Sequence, residues 1–417
     1  MRRLLWLAGV AVVCASPLHG EPRPARRGLP PPEAVRDALD NHPAVLAAGH
    51  RVDVARAQAG ALAKGSHEAV LAGSAMRRGV DRERDYAEFD ATLTRAFRLP
   101  GKAALDRRTG EAGVAAAQNR MADARHQAAL ELAQLWLDWI GARALTESDQ
   151  RNLANLTREA GATERRAQLR DAAALDVDQA MAAAARARGQ LAESQAALAE
   201  AEAKLRATFP TIPLPATAPS PDEPGEPVEG FATLGRLVIE RSHEVEAAQA
   251  EADRLGFTAR RARADRIADP SVGVRAFSER GGMERGVGLV ASMPLGGGYR
   301  RYLAEEAAAQ SAAALSDLAA VRRTVEAIAA ADVALARSRL DGWQSLRDAA
   351  VSARAVADRM RAGNRLGAID LTDLLYAERQ ANDARREEIR ARTEALRALI
   401  RLEIDSHVIW IDEDDHA

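Results

Sequence analysis

A single cysteine, Cys14, serves the whole chain of 417 residues. It lies in a segment that reads as a secretory signal: Arg2 and Arg3 form the positive start, Leu4 to Ala15 the apolar stretch, and Ser16 to Gly20 the processing region. A mature chain cut near Gly20 therefore has no thiol, no disulfide and no cysteine-ligated metal. Cys14 has a second reading as a lipid attachment site, but Val13 stands where a lipoprotein signal wants a small residue. After residue 20 no run of ~18 apolar residues occurs, so no helix can span a membrane, although strands still could. The net charge of -2 supplies no basic face, which excludes nucleic acid as an expected partner. Aromatic residues make up 4% and charged residues 28%, a poor match to a compact globular domain.

Catalytic signals are also missing. Gly296-Gly297-Gly298 lacks the Lys-Ser/Thr of a phosphate loop and reads as a strand-to-helix turn. The histidines are scattered, and none forms a close pair with metal-ligand spacing. The acidic end, Asp412 to Asp415 with His407 and His416 nearby, reads as a solvated tail with weak metal binding as the alternative. The expectation is a non-enzyme without catalytic residues, cofactor or metal.

What the chain has in abundance is alanine, leucine, arginine and glutamate, the mixture that favours long helices. A Pro-rich stretch from Pro210 to Pro227 divides it nearly in half. The halves superpose in sequence: Ala38 to Ala48 matches Val238 to Ala248 at an offset of 200, and Leu99-Pro100-Gly101 matches Met293-Pro294-Leu295-Gly296 at 194. Leu175-Asp176-Val177 matches Ile369-Asp370-Leu371, again at 194. This is an internal duplication with one indel, placed in the polar loop Gly79 to Asp85. The expected layout is a signal at 1–20, a first repeat at 21–209, a linker at 210–229, a second repeat at 230–408 and an acidic tail at 409–417.

Within each repeat the periodicity changes in one order. Val35 to Ala63 and Leu234 to Ala264 read as helices. Strand pairs follow at about 69–99 and about 271–295. In Tyr86 to Leu99, Ala87, Phe89, Ala91, Leu93, Phe97 and Leu99 share one face, with Arg95 the exception, opposite Glu88, Asp90, Thr92 and Thr94. Val287, Leu289, Ala291, Met293 and Leu295 repeat the pattern. An ordinary half-buried sheet is one reading. The other is a barrel closed with further copies of the chain, in which Phe89, Leu93, Phe97, Val287, Leu289 and Met293 face lipid.

Long helical hairpins complete each repeat, at about 102–208 and about 298–408. Leu132, Leu135, Trp136, Trp139 and Ile140 form one packed stripe, with both tryptophans read as packing residues. Val177, Ala184, Leu191, Leu198 and Leu205 recur at every seventh position, a coiled-coil seam. The reversals fall near Gln168 to Asp176 and near Ala362 to Asp373. Gly363, Asn364 and Gly367 are helix-end signals there, and Asp370, with Asp373 three residues on, can cap the returning helix. Gln179 stands at the position that the spacing pairs with Asp373.

Signal, duplication, strand pairs ending in Pro-Gly turns, and the reversal Gly363 to Gln380 (GNRLGAIDLTDLLYAERQ) together resemble the TolC-type outer-membrane efflux proteins. The family often has Asn-Pro or Arg-Pro near the first helix, where this chain has His42-Pro43 and Ser242-His243. The resemblance implies a mainly α fold with a small β part: a homotrimer with a periplasmic α-barrel of helical hairpins and four strands per chain in a shared twelve-stranded transmembrane β-barrel. It implies a passive export channel in outer-membrane lipid, a periplasmic adaptor (membrane-fusion) protein, and an inner-membrane pump of the resistance-nodulation-division type. It also implies a closed end constricted by Asp370 and Asp373 as an acidic ring, where capping alone is the competing role of Asp370, and adaptor contacts around Asp176, Gly363, Asn364 and Gly367. A soluble periplasmic coiled-coil adaptor or scaffold is the alternative, and it leaves the apolar strand face without a use. Mass spectrometry of the mature N-terminus is expected to find a chain lacking residues 1–20 and carrying no acyl group; an acylated Cys14 reverses that reading.

Overall fold

The computed structural model describes residues 28–215 and 222–411. The signal, Cys14 and the Asp412 to Asp415 tail lie outside the described residues. The architecture is mainly helical with one small sheet, as the composition predicts. Element order runs twice through the same series: α1 (Pro32–Asp40), α2 (Pro43–Lys64), β1 (Ala69–Arg78), β2 (Tyr86–Ala96), α3 (Lys102–Gln168) and α4 (Ala174–Thr208), then α5 (Phe231–Glu240), α6 (His243–Ala264), β3 (Ser271–Glu279), β4 (Glu284–Ser292), α7 (Gly298–Arg365) and α8 (Leu371–Asp405). Matching lengths carry the duplication further than the sequence identity does. α2 and α6 both have 22 residues, α4 and α8 both have 35, and α3 and α7 have 67 and 68. At 1.5 Å per residue α3 and α7 are each about 100 Å long.

The two leading helices expected to be continuous are each broken. Pro43 has no amide hydrogen and cannot sit inside a helix, so α1 stops at Asp40 and α2 restarts with Pro43 at its first position. In the second half Ser242 makes the same break by capping, its hydroxyl accepting from Val245 N at 3.3 Å. The break frees the short helices α1 and α5 to lie against the long ones. Val35 and Leu39 of α1 pack with Leu132, Trp136, Trp139 and Ile140 of α3, while Phe231, Leu234 and Val238 of α5 pack with Leu340 and Trp343 of α7. The last turns of α8 join both cores: Leu396, Ile400 and Ile404 face the first, and Ala395, Leu399 and Leu402 the second. A helix apolar on all sides is one buried on all sides.

Toward the far end the helices pack through narrow seams. In α4 the seventh-residue series is reinforced by buried Ala180, Ala187 and Ser194, three positions out of phase with it. A second series of the same spacing, not noticed in the sequence, runs along α7 through Ala329, Ala336, Trp343, Ala350, Ala357 and Asn364, all buried. The second copy thus carries a seam on its outgoing helix as well as on its returning one, where Leu374, Ala381, Glu388, Ala395 and Leu402 are buried at the same spacing.

The four strands form one antiparallel sheet in the order β1-β2-β3-β4. Its register aligns Leu71, Leu93, Val274 and Leu289 in one row and Gly73, Ala91, Ala276 and Val287 in the next. Leu39 is fully buried. Leu39→Ala is expected to destabilise the protein by about 2–5 kcal/mol and Leu39→Met by under about 1.5 kcal/mol, read as midpoints of denaturant unfolding in detergent.

Candidate functional site

Three regions follow from this framework: the sheet, the junction where strands become helices, and the two reversals. The outer sheet face is apolar and exposed. Phe89, Leu93, Val287 and Leu289 all lie on it, Leu289 at 91% exposure, and Leu71 and Val274 join them through the register. Phe97 and Met293 sit one residue past the ends of β2 and β4 rather than within them, and both side chains are exposed. Arg95, the charged exception on this face, donates from Nε to the His67 carbonyl at 3.0 Å, at the junction end of the sheet. The opposite face carries Asp90, which pairs with Arg275 across β2 and β3. A sheet oily on one face and ion-paired on the other has the division of surface that a barrel in lipid requires.

The junction is a network of ions that the sequence reading missed. Lys102, only 1% exposed, opens α3, and its Nζ lies 2.8 Å from Asp265 Oδ1, Asp269 Oδ1 and the Ile267 carbonyl. Asp269 also accepts from Leu99 N at 3.0 Å and meets His67 Nε2 at 3.1 Å. Burial alone would raise its pKa, but Lys102, the Leu99 amide and His67 outweigh that and hold the carboxyl at about 2. Beside it Asp106 takes Arg98 on one oxygen at 2.8 Å and Arg261 on the other at 2.7 Å. Arg98 also donates to the carbonyls of Leu62, Ala63 and Lys64, the open end of α2. The available signal was spacing: Arg98, Lys102 and Asp106 stand four apart, as do Arg261, Asp265 and Asp269.

At the far end, α3 stops at Gln168 and α7 at Arg365, so Gly363 and Asn364 lie in the last turn of α7 and only Gly367 lies beyond it. Each of the three has a task. A Cβ on Gly363 would stand 2.6 Å from Ile369 Cγ1, so glycine lets the chain fold back on the helix end. Asn364 Nδ2 donates to the Ile369 carbonyl at 2.9 Å, and Gly367 takes a φ of 74°. Arg170 takes φ 63° in the first reversal without being glycine. Asp370 is the N-cap of α8, accepting from Asp373 N at 2.8 Å. Asp176 does not occupy the matching position: it is the third residue of α4, as Asp373 is of α8, and accepts from Ala173 N at 3.1 Å. Ala173 therefore stands where Asp370 does, and the first copy lacks the cap carboxylate rather than the inner one. The two returning helices start side by side, with Thr372 Oγ1 donating to Gln179 Oε1 at 3.3 Å over a cluster of Ala180, Leu371 and Leu374.

His407 is not part of a solvated tail. It is buried with its ring 4.6 Å from His243 and 5.3 Å from His126, so the fold gathers three histidines that the sequence scatters. Among the described residues no group of histidine, aspartate and glutamate is arranged to hold a metal ion, and no helix is long and apolar enough to cross a membrane.

The fold is that of outer-membrane channels. No protein-family model matches the sequence, and no curated protein matches it. Among solved structures, the outer-membrane channel OprN is 20% identical, with 91% of this chain and 90% of that one covered at a TM-score of 0.74. The outer membrane protein VceC of Vibrio cholerae is 18% identical over 90% of this chain and 95% of its own, at 0.71. The open-state MtrE outer membrane channel of Neisseria gonorrhoeae is 15% identical over 93% and 90%, at 0.72.

Lys102→Met keeps the stem packed but strands two carboxylates, and is expected to cost about 3–5 kcal/mol, read by denaturant unfolding. Adding Asp269→Asn should restore part of that loss. Because the Asp269 pKa is depressed, its contribution is present above the ordinary carboxylate range and is lost as pH falls through about 2.

Proposed function

We propose that this chain is the outer-membrane channel of a tripartite export system of the TolC type, a passive tunnel from the periplasm to the exterior. The observation that carries the reading is the apolar row Leu71, Leu93, Val274 and Leu289 on a four-stranded sheet whose outer edges, on β1 and β4, pair with no further strand among the described residues. Unpaired edges and an oily face are together untenable in water or lipid unless the sheet closes. Three copies pairing β4 of one with β1 of the next close it into twelve strands, and the same threefold arrangement sets the α3–α4 and α7–α8 hairpins side by side as a tube. The fold shared with OprN, VceC and MtrE supports this reading. A soluble adaptor gives that face no role.

In such a trimer Asp370 and Asp373 recur around the axis as an acidic constriction at the periplasmic end, with Asp176 of each first copy beside them at the level of Asp373. The adjoining reversals, including Gly363, Asn364 and Gly367, present the surface for a periplasmic adaptor. A pump of the resistance-nodulation-division type in the inner membrane supplies the energy, because the tunnel itself has none.

Fractionation is expected to recover the protein only with detergent-solubilised outer membrane, and recovery in soluble periplasm sinks the reading. For the constriction, Asp370→Asn is the discriminating variant, since asparagine still caps a helix but carries no charge. The double variant Asp370→Asn/Asp373→Asn should raise closed-state conductance in a planar bilayer several-fold without lowering thermal stability. An unchanged conductance leaves Asp370 as a cap alone.

A further inference from the structure

Where the last turn of α8 meets α7 and α3, the structure buries two carboxyl groups together. Asp332 of α7 and Asp405 of α8 are 7% exposed each. Arg401 is the one cation shared between them: its Nε lies 3.2 Å from Asp332 Oδ1 and 3.3 Å from Asp405 Oδ2, aligned for a hydrogen bond with neither, and its guanidinium is half exposed. His126 of α3 takes the other Asp405 oxygen, Oδ1, at 2.8 Å. Asp332 Oδ2 and Asp405 Oδ2 receive no hydrogen-bond donor at all.

Two buried carboxylates with one misaligned arginine are under-compensated, and an unpaired carboxylate oxygen in a dry site costs more than the proton that would satisfy it. A single proton between Asp332 Oδ2 and Asp405 Oδ2 satisfies both orphan atoms at once and removes one negative charge. The other groups facing the pair do not supply that compensation. Glu403 of α8 is itself acidic. Arg241, ahead of α6, donates to the carbonyls of Ser406 and His407 at 3.3 Å. The His243 ring of α6 lies tilted against His407, whose imidazole is held neutral, near pKa 3, by burial and by the neighbouring His243, His126 and Arg241.

We propose that Asp332 and Asp405 share one proton as a buried carboxyl pair, a clamp that ties the end of α8 to α7 in acidic surroundings and loosens as pH rises through neutrality. The direction of titration agrees: burial first, then the Asp405 carboxyl, push Asp332 up to about 7, while the His126 hydrogen bond brings Asp405 below its ordinary value against its own burial. With a raised folded-state pKa, the folded form holds the extra proton, so the clamp's contribution falls as pH rises from the ordinary carboxylate range toward 7 and has levelled off above it. The first copy has no such device at the matching helix end, since α4 ends on Thr208 where α8 ends on Asp405.

Two measurements on the purified full chain in detergent test this. Infrared difference spectra should show the carbonyl stretch of a protonated carboxyl at about pH 6 that is gone by about pH 9. The band should be missing in both Asp332→Asn and Asp405→Asn. Amide hydrogen exchange across residues 400–411, taken relative to Asp332→Asn at the same pH, should accelerate about tenfold between about pH 6 and about pH 8. A wild-type protein without the band, or exchange that tracks the variant at every pH, overturns the proposal.

Discussion

The rest of the molecule depends on one change of state of the backbone, from sheet ladder to helix, made at a single level. Strands satisfy their amides sideways and helices along the axis, so at the crossing some polar groups have no partner of either kind. Here Arg98 takes up the open carbonyls of α2, while Lys102 and Asp269 tie the start of α3 to the segment leading into β3. Those contacts fix where each strand begins and therefore which side chains face out. With the register set, Leu93 and Leu289 must share a face with Leu71 and Val274, and the long helices must leave the sheet at one height.

Beyond the junction the two copies diverge while holding their dimensions. Packing at every seventh position constrains length and spacing without fixing which residues supply it, so α4, α7 and α8 each carry a series of their own. Likewise the break before the second helix needs only something that stops the preceding turn, and Pro43 and Ser242 do this by different chemistry. The duplication is conserved as geometry more than as residues. Where the copies share a core, at the end of α8, polar chemistry joins them, His126 of the first copy meeting Asp405 of the second.

Much of this was legible in the sequence. Alternation in Tyr86 to Leu99 found β2 because a half-exposed strand writes its two faces into successive residues. Ala69 to Arg78 was less legible, since Gly73, Ala75 and Ala72 make its faces alike in size and only pairing with β2 tells them apart. The reversal at Gly363 to Asp370 was readable because glycine, asparagine and aspartate have few other reasons to occur together at a helix end. Alignment by sequence similarity misplaced Asp176 by one helical turn, because similar Asp-centred triplets do not fix where a helix starts. Ionic contacts between distant segments, such as Lys102 with Asp269 or His126 with Asp405, leave no local period and become visible only when the fold joins them.

The two strand-to-helix junctions are built to different mechanical standards. The first is riveted through Lys102, Arg98 and Asp106, whereas the second passes from β4 to α7 through Gly296, Gly297 and Gly298, with Arg300 reaching back only to the Asp265 carbonyl at 3.1 Å. The way from helix to sheet is therefore ion-paired at α3 and made of glycine at α7, so the backbone before α7 has freedom that the backbone before α3 lacks. Within one chain the same joint is thus made once with ions and once with glycine.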